Sequence, residues 1–225
     1  MKFSVSAVAT LLVAAASASP IEAELQARKS YGTTSNEYVQ SGCNDVLLFF
    51  ARGSTQSGNV GDMPGQQLAT AVSAYYGTSL YVQGVDYPAT LEGNYDDGRC
   101  PAAYAAKWGT QLAGAATACP DASIVIAGYS QGAAMVHAAL KTLTTATTTH
   151  IVAAVTFGDT YYEQDGNKIP NIAASKTKVF CNTGDRVCNG TLDITAAHTN
   201  YKPSVPSAAA FIKQQVDAAA AKLKL

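Results

Sequence analysis

Two apolar runs constrain the fold of this chain more than any other feature of its sequence. Val46–Ala51 is apolar throughout, and Ser123–Ala127 is apolar after its first residue. A strand with one face in solvent alternates polar and apolar residues, whereas a strand buried on both faces does not. The two runs therefore predict central strands of a sheet that is covered on both sides.

The segments around these runs alternate between strand-like and helix-like patterns. Further strands are expected over 79–85, 151–157 and 178–180, and helices over 66–76, 102–118, 130–143 and 205–223. Alternation of this kind is typical of a parallel sheet with crossover helices on both faces. The sequence predicts one compact α/β domain with a mainly parallel sheet of about five strands flanked by helices. Any chemistry is expected at the carboxyl ends of the strands.

The first residues have the organisation of an export signal. Lys2 gives a positive start, Val5–Ala16 is almost wholly apolar, and Ala16–Ala18 fits the small-x-small pattern of a signal-peptidase site. The apolar run is too short to span a bilayer, which weighs against the alternative of an N-terminal anchor helix. We predict a signal peptide over 1–18, a pro-segment or disordered N-terminus over 19–30, and the folded domain over 31–225. The protein is expected to be secreted and extracellular.

Charge and cysteine content exclude several classes of partner and site. The formal net charge is −1 and no basic stripe is present, so nucleic acid is not an expected partner. Export makes disulfides the default state of the five cysteines, and the odd number leaves one thiol unpaired. No CxxC or Cys/His cluster has zinc-ligand spacing, so no metal site is predicted. We expect a monomer without a cofactor and without stable membrane insertion.

The motif G-x-S-x-G occurs at Gly128–Gly132, between the apolar run ending at Ala127 and a predicted helix. A sharp strand-to-helix turn at this motif, the nucleophile elbow, raises the serine hydroxyl above the sheet. The glycines are needed where a Cβ would collide with neighbouring backbone. This context favours Ser130 as a nucleophile over the alternative of a glycine-rich turn with a capping serine. The backbone N–H of Gln131, at the start of the helix, would face a substrate carbonyl oxygen.

A serine nucleophile needs a base, and three histidines are candidates. His198 lies in a loop after the last predicted strand, in the chain order Ser…Asp…His of this architecture. His137 is expected two helical turns beyond Ser130, pointing away from the elbow as a helix-surface or packing residue. His150 is expected at the amino end of a strand as a loop residue. His198 is therefore the predicted general base.

Four aspartates precede this histidine: Asp159, Asp165, Asp185 and Asp193. Asp185 is favoured, because it follows a strand and lies between Cys181 and Cys188, where a short disulfide loop would hold its carboxylate rigidly. It would fix the imidazole tautomer of His198 and stabilise the imidazolium. Asp159, which follows the preceding strand, is the competing candidate. The alternative role for Asp185 is that of an ordinary turn residue.

A glycosylation sequon, N-x-T, lies at Asn189–Thr191, one residue after Cys188. On an exported chain this sequon predicts partial N-glycosylation of Asn189. Occupancy would be limited if the neighbouring disulfide forms before glycan transfer. The alternative is an unused Asn-Gly turn.

With these motifs in place, the chain resembles the fungal cutinases from about Cys43 to the C-terminus. Four blocks carry the resemblance: Ala51–Thr55 with Gly58–Gly61, Cys119–Ala122, Gly128–Ala133, and Cys181–Cys188 continuing to His198. The first block is similar to the oxyanion block of that family. The resemblance implies an α/β-hydrolase fold without a lid, so that the serine would be open to bulky polymer substrates.

The resemblance also implies individual roles. The implied catalytic triad is Ser130, Asp185 and His198. The implied oxyanion hole is Ser54 and Gln131, with Asn94 orienting the Ser54 hydroxyl. The implied lining of the substrate cleft is Leu91, Tyr129, Ile194 and Thr199, of which Thr199 departs from the apolar residue usual in the family. The implied disulfides are Cys43–Cys119 and Cys181–Cys188, which leaves Cys100 as the extra cysteine.

These observations predict a secreted serine esterase that hydrolyses cutin, related polyesters or short-chain acyl esters through an acyl-enzyme on Ser130. One alternative is an acetylxylan esterase or short-chain lipase of the same fold. Acetylxylan esterases are richer in cysteine and lack the Arg52–Thr55 block, which favours the cutinase interpretation. A more distant alternative is an inactive surface-binding protein, for which a broken triad would be expected.

Overall fold

A computed structural model describes residues 29–222. The predicted signal peptide over 1–18 and most of the predicted segment over 19–30 lie outside the described residues. Within residues 29–222, no helix combines the length and hydrophobicity that a membrane crossing requires.

Five parallel strands form the sheet, in the spatial order β2-β1-β3-β4-β5. They are β1 (Val46–Ala51), β2 (Leu80–Gly84), β3 (Ser123–Tyr129), β4 (Ile151–Phe157) and β5 (Thr177–Phe180). Every residue of β1, β3 and β4 is buried. The central strands therefore have the two covered faces that their apolar sequences predict, and the α/β prediction is confirmed.

Helices cover both faces of this sheet. They are α1 (Glu37–Ser41), α2 (Gly65–Tyr76), α3 (Ala102–Ala118), α4 (Gln131–Lys141), α5 (Thr145–Thr149) and α6 (Val205–Lys222). One core layer packs α3 and α4 against alternate residues of β1, such as Leu47 and Phe49. The other packs α2 and α6 against Leu48 and Phe50. Consecutive residues of β1 thus point into two separate core layers. Because both faces of the strand are buried, residues on both faces are apolar.

Helices α1 and α5, of five residues each, were not predicted, because segments this short carry too few residues to show a helical period. Strand β3 runs two residues beyond the predicted end at Ala127, so that it reaches Tyr129.

Two disulfides are present, joining Cys43 to Cys119 and Cys181 to Cys188. These are the pairs that the family resemblance implies. The remaining cysteine, Cys100, is unpaired and buried in the core layer that contains α3.

Candidate active site

Ser130 lies at the turn between β3 and α4 with a backbone φ of 56°, in the left-handed region that non-glycine residues rarely adopt. Its N–H donates to the carbonyl of Phe157 at 2.9 Å, which fixes the turn to β4. A Cβ at Gly128 would lie 2.2 Å from the carbonyl oxygen of Gly132, and a Cβ at Gly132 would lie 2.0 Å from that of Ala51. The elbow therefore requires both glycines of the motif.

Three predicted side chains form one continuous hydrogen-bonded chain. Oγ of Ser130 lies 2.9 Å from Nε2 of His198, and Nδ1 of His198 lies 2.9 Å from Oδ2 of Asp185. All three are buried, although they come from loops after β3 and β5. This is the geometry in which an imidazole can take a proton from a serine hydroxyl.

The carboxylate of Asp185 has further donors that hold it in place. The backbone N–H of Val187 donates to Oδ1 at 3.0 Å, and the hydroxyl of Tyr201 donates to Oδ2 at 2.5 Å. Burial, followed by the hydrogen bond to Asp185, holds the pKa of Tyr201 well above its ordinary value of 10.0. The phenol therefore stays protonated and can act as a donor. No sequence motif marks Tyr201, and the sequence analysis missed it.

The imidazole of His198 is enclosed by neighbouring rings and backbone. The ring of Tyr129 stacks on it with 5.3 Å between centroids, and the Tyr129 hydroxyl donates to the His198 carbonyl at 2.9 Å. A Cβ at Gly158 would lie only 2.7 Å from Cε1 of His198, so this glycine backbone forms part of the wall around the imidazole. Tyr129 thus supports the base as well as lining the cleft.

The other histidines lie away from Ser130, and His137 has one of the two roles predicted for it. His150 ends α5 at the amino end of β4, as expected. His137 is fully buried and its two ring nitrogens face Asp159 and Asp165 at 3.0 and 2.7 Å. It is a packing residue of the interior, not a helix-surface residue. Asp159, the competing candidate for the orienting acid, therefore contacts His137.

Ser54 and Asn94 line the cleft over Ser130, and Gln131 begins α4 directly after Ser130. The side-chain amide of Asn94 donates to Oγ of Ser54 at 2.8 Å, so that the Ser54 hydroxyl proton is directed elsewhere and can reach a substrate oxygen. Neither the Ser54 nor the Gln131 N–H takes part in the backbone hydrogen bonds of the turns and loops that the structure describes. Both N–H groups and the Ser54 hydroxyl proton are therefore free of the backbone partners described, as donors to a substrate oxyanion would have to be.

The loop that carries Ser54 is braced on several sides. The guanidinium of Arg52 donates to the carbonyls of Gln56 and Pro88 at 2.9 and 3.3 Å. The N–H of Thr55 donates to the carbonyl of Ala89 at 2.7 Å. Donors held in this way need little rearrangement as charge develops on a substrate.

An open cleft of about 320 Å³ lies over Ser130. Its lining includes all four predicted cleft residues: Leu91, Tyr129, Ile194 and Thr199. Leu91 and Ile194 expose 59% and 57% of their surface, and Tyr95, which the sequence analysis missed, exposes 81%. Large apolar side chains with this exposure give the cleft an apolar rim.

One hydrogen bond links the two segments that bear this rim. The guanidinium of Arg99 donates to the carbonyl of Gly190 at 2.8 Å. Leu91 and Tyr95 precede Arg99 on one segment, and Ile194 follows Gly190 on the other. This hydrogen bond holds the two sides of the rim together.

Comparison with known proteins identifies the family. The family model for cutinases matches residues 42–216. Cutinase CUT2 of Pyricularia oryzae is 49% identical over 217 residues, which cover 96% of this chain and all of the relative. The chain belongs to the cutinase family. Cutinase 1 of Fusarium vanettenii is 40% identical over 206 residues, covering 88% of this chain and 89% of the relative. As a member of the cutinase family, the protein is a carboxylic ester hydrolase.

Solved structures agree with this assignment of the cutinase fold. The structure of Trichoderma reesei cutinase in complex with a phosphonate inhibitor matches with a TM-score of 0.74 at 32% identity, over 88% of this chain and 90% of that chain. An acetylxylan esterase matches with a TM-score of 0.65 at 23% identity, over 77% of this chain and 99% of that chain. At that identity, the second match shows a shared fold only.

Proposed function

We propose that this cutinase hydrolyses cutin, related polyesters and short-chain acyl esters through an acyl-enzyme on Ser130. The observation that carries the proposal is the unbroken hydrogen-bonded chain from Ser130 through His198 to Asp185. Nε2 of His198 accepts the hydroxyl proton as Oγ attacks the ester carbonyl carbon. Asp185 accepts from Nδ1, which fixes the tautomer and stabilises the imidazolium.

The charge that develops on the carbonyl oxygen would be met by the N–H groups of Ser54 and Gln131 and by the Ser54 hydroxyl. Each such donor is worth about 3–4 kcal/mol in related chemistry. His198 then protonates the leaving alcohol, and the acyl-enzyme forms. A water molecule, deprotonated by the same imidazole, releases the acid and restores the Ser130 hydroxyl.

The exposed apolar rim supports a long or polymeric acyl substrate. Leu91, Tyr95 and Ile194 would contact acyl methylenes, each of which is worth roughly 0.8 kcal/mol when buried. A polymer can approach because the cleft is open to solvent. The names of the relatives in Pyricularia oryzae and Fusarium vanettenii support cutin as the natural polyester.

The decisive experiment combines active-site labelling with substrate profiling. A nitrophenyl phosphonate should label wild-type protein at Ser130 and release one nitrophenol per molecule. Ser130→Ala should lose both labelling and turnover, by about 10⁶-fold for turnover, with an unchanged circular dichroism spectrum. Ser57→Ala, an exposed serine near Ser54, serves as the control. Substantial turnover in Ser130→Ala would contradict the assignment.

Substrate profiling tests the ester class separately. Nitrophenyl esters of increasing chain length, cutin and acetylated xylan should be compared on the same preparation. A preference for cutin and for butyryl or longer esters supports the proposal. Release of acetate from xylan with no release of monomers from cutin would instead favour an acetylxylan esterase.

We further propose that the protein is secreted as a monomer, with a mature N-terminus after residue 18 or near residue 30. The two disulfides support passage through an oxidising compartment. Asn189 is exposed, as a glycosylated residue must be, and its partial glycosylation stays a prediction. Mass spectrometry of protein secreted from a eukaryotic host measures both the N-terminus and the glycan.

A further inference from the structure

The interior of the protein contains a second cluster of charged side chains, around His137 on α4, two helical turns beyond Ser130. Nε2 of His137 lies 3.0 Å from Oδ2 of Asp159, and its Nδ1 lies 2.7 Å from Oδ2 of Asp165. Lys141, one turn further along α4, donates to the other oxygen of Asp165 at 2.7 Å. His137 and Asp159 are both fully buried. The proposed mechanism uses none of these four residues.

The hydrogen-bond pattern specifies the charge state of His137. A neutral imidazole has one N–H donor and one nitrogen that can only accept, whereas a protonated imidazole has two donors. Both nitrogens of His137 face carboxylate oxygens, which are acceptors while Asp159 and Asp165 are ionised, so in that state both contacts are hydrogen bonds only when the ring is protonated. A buried Asp159 carboxylate would otherwise lack a compensating charge.

The electrostatic surroundings agree with protonation. Burial alone would lower the pKa of His137, but the charge and hydrogen bond of Asp159 and those of Asp165 together raise the pKa above its ordinary 6.5. The other ionisable groups nearby are Tyr161, whose ring packs on His137 at 6.0 Å, and Lys141, whose ammonium lies 4.7 Å from the Tyr161 ring. With His137 protonated, the two positive charges of His137 and Lys141 equal the two negative charges of the ionised Asp159 and Asp165.

The segment that Asp159 belongs to is in direct contact with the proposed catalytic residues. Gly158, immediately before it, packs against the His198 imidazole so closely that a Cβ would approach Nδ1 to 2.8 Å. Thr160, immediately after it, donates to the backbone carbonyl of Ser130 at 3.4 Å and lines the cleft. Asp159 itself turns away from the cleft and accepts from the Tyr161 N–H at 3.0 Å.

We infer that protonated His137 is a positioning residue, which acts through Asp159 to hold Gly158–Thr160 against the His198 imidazole and the Ser130 backbone. His137 lies on α4, the helix that begins at Gln131, directly after Ser130. The ion pair between His137 and Asp159 therefore connects this helix to the segment Gly158–Thr160, which packs against the His198 imidazole. This inference rests on the proposed roles of Ser130 and His198. It makes the placement of the triad depend on a charge outside the triad.

The inference has a definite pH dependence. A group whose pKa is raised by folding contributes its stabilisation at low pH and loses it as the pH rises through the folded-state pKa. Deprotonation of His137 would leave one nitrogen lone pair facing a carboxylate, and the attraction that holds Asp159 to His137 would weaken. Turnover and thermal stability should therefore both fall as the pH rises through the pKa of His137, which lies above 6.5.

Two substitutions distinguish the effect of the charge on His137 from the effect of the geometry of its contact with Asp159. His137→Gln leaves Asp159 without a cation, so kcat should fall by about 10- to 100-fold with KM little changed, as expected for a displaced catalytic group. Asp159→Asn should keep the geometry, because the new amide can donate to a neutral Nε2 while its oxygen still accepts from Tyr161. This variant should retain activity near neutral pH and lack the alkaline fall in kcat. The double variant His137→Gln with Asp159→Asn removes the unpaired charge and should regain part of the lost kcat.

The control is His150→Gln, the same substitution at the amino end of β4, which should leave kcat and its pH profile unchanged. Each kcat is divided by the fraction of protein that a nitrophenyl phosphonate labels, so that loss of folded protein is not counted as slower turnover. Histidine ¹⁵N NMR of the wild type should show both ring nitrogens of His137 protonated at pH 6.

The possible outcomes are distinguishable. If the wild type is not labelled at Ser130, the proposed function itself fails. If labelling succeeds but His137→Gln matches His150→Gln per labelled site, or Asp159→Asn keeps the wild-type alkaline fall, the positioning role is wrong. A neutral His137 ring at pH 6 would also overturn it. Slower turnover in His137→Gln, with partial recovery in the double variant, supports the inference.

Discussion

The hydroxyl of Tyr201 lies 2.5 Å from Oδ2 of Asp185, the same carboxylate oxygen that faces Nδ1 of His198. Tyr201 is fully buried at the start of the turn that leads into α6. Asp185 sits in a loop closed by a disulfide. The orientation of the acid is thus determined by a residue from the C-terminal part of the chain as well as by its own loop.

Replacing Tyr201 with Phe should lower kcat about tenfold and the free energy of unfolding by about 1.5–3 kcal/mol, the value of a hydrogen bond to a charged group. Without the phenol, Asp185 has one donor fewer and more freedom to rotate. Tyr76→Phe is a matched control, because its hydroxyl bonds only a backbone carbonyl at 3.4 Å, remote from the cleft. Steady-state kinetics and thermal melts measure both effects. Equal kcat in the two variants would show that Tyr201 does not orient the acid.

Ser54→Ala should reduce kcat by roughly 10²–10³ with little change in KM. The Ser54 hydroxyl accepts from Asn94 and is proposed to donate to charge that develops only in the transition state. Esterase kinetics over a series of nitrophenyl butyrate concentrations measure kcat and KM separately, with Ser57→Ala as the control. An increase in KM at constant kcat would identify Ser54 as a contact to the bound substrate instead.

The two disulfides should differ in what they stabilise. Cys181–Cys188 closes a loop of sequence separation 7, and Cys43–Cys119 one of separation 76. Loop entropy assigns them about 2.5 and 4.5 kcal/mol of stability. Replacing Cys181 and Cys188 with Ser should therefore lower kcat strongly and Tm modestly, because Asp185 loses its rigid loop. Replacing the other pair should do the reverse, and kinetics with melting curves on both double variants decide between them.

Cys100 should be inert to thiol reagents in the folded protein. Burial, followed by the charge of Asp96, raises the pKa of its thiol to about 12, so that the reactive thiolate is scarce at neutral pH. Ellman's reagent at pH 8 should detect no thiol in native protein and one thiol after denaturation. Rapid reaction in the native state would show that the thiol is accessible.

The parts of the fold that the sequence predicted well are those specified by local chemistry. The apolar composition of Val46–Ala51 follows from two buried faces, so the central strand is visible without its neighbours. The glycines around Ser130 follow from backbone contacts within one turn. The cutinase prediction is confirmed by the family model, which matches residues 42–216.

Other features depend on contacts between distant segments, and the sequence does not display them. His137 and Asp159 are 22 positions apart and belong to a helix and a loop, so neither residue has a pattern that points to the other. Tyr201 contacts Asp185 from 16 positions further along the chain, with a short 3-10 helix and irregular loops between them. A buried ion pair and a buried phenol can be assigned only when the packing around them is known.

The nucleophile and its proposed base are 68 positions apart in the chain, and the base follows the last strand. During translation, a ribosome therefore delivers Ser130 well before it delivers Asp185, His198 or the tyrosine that bonds the acid. A nascent chain that ends at β4 has a hydroxyl but no group to accept its proton. If Ser130, His198 and Asp185 act as proposed, ester hydrolysis would begin only once β5, the loop that carries His198 and α6 have folded.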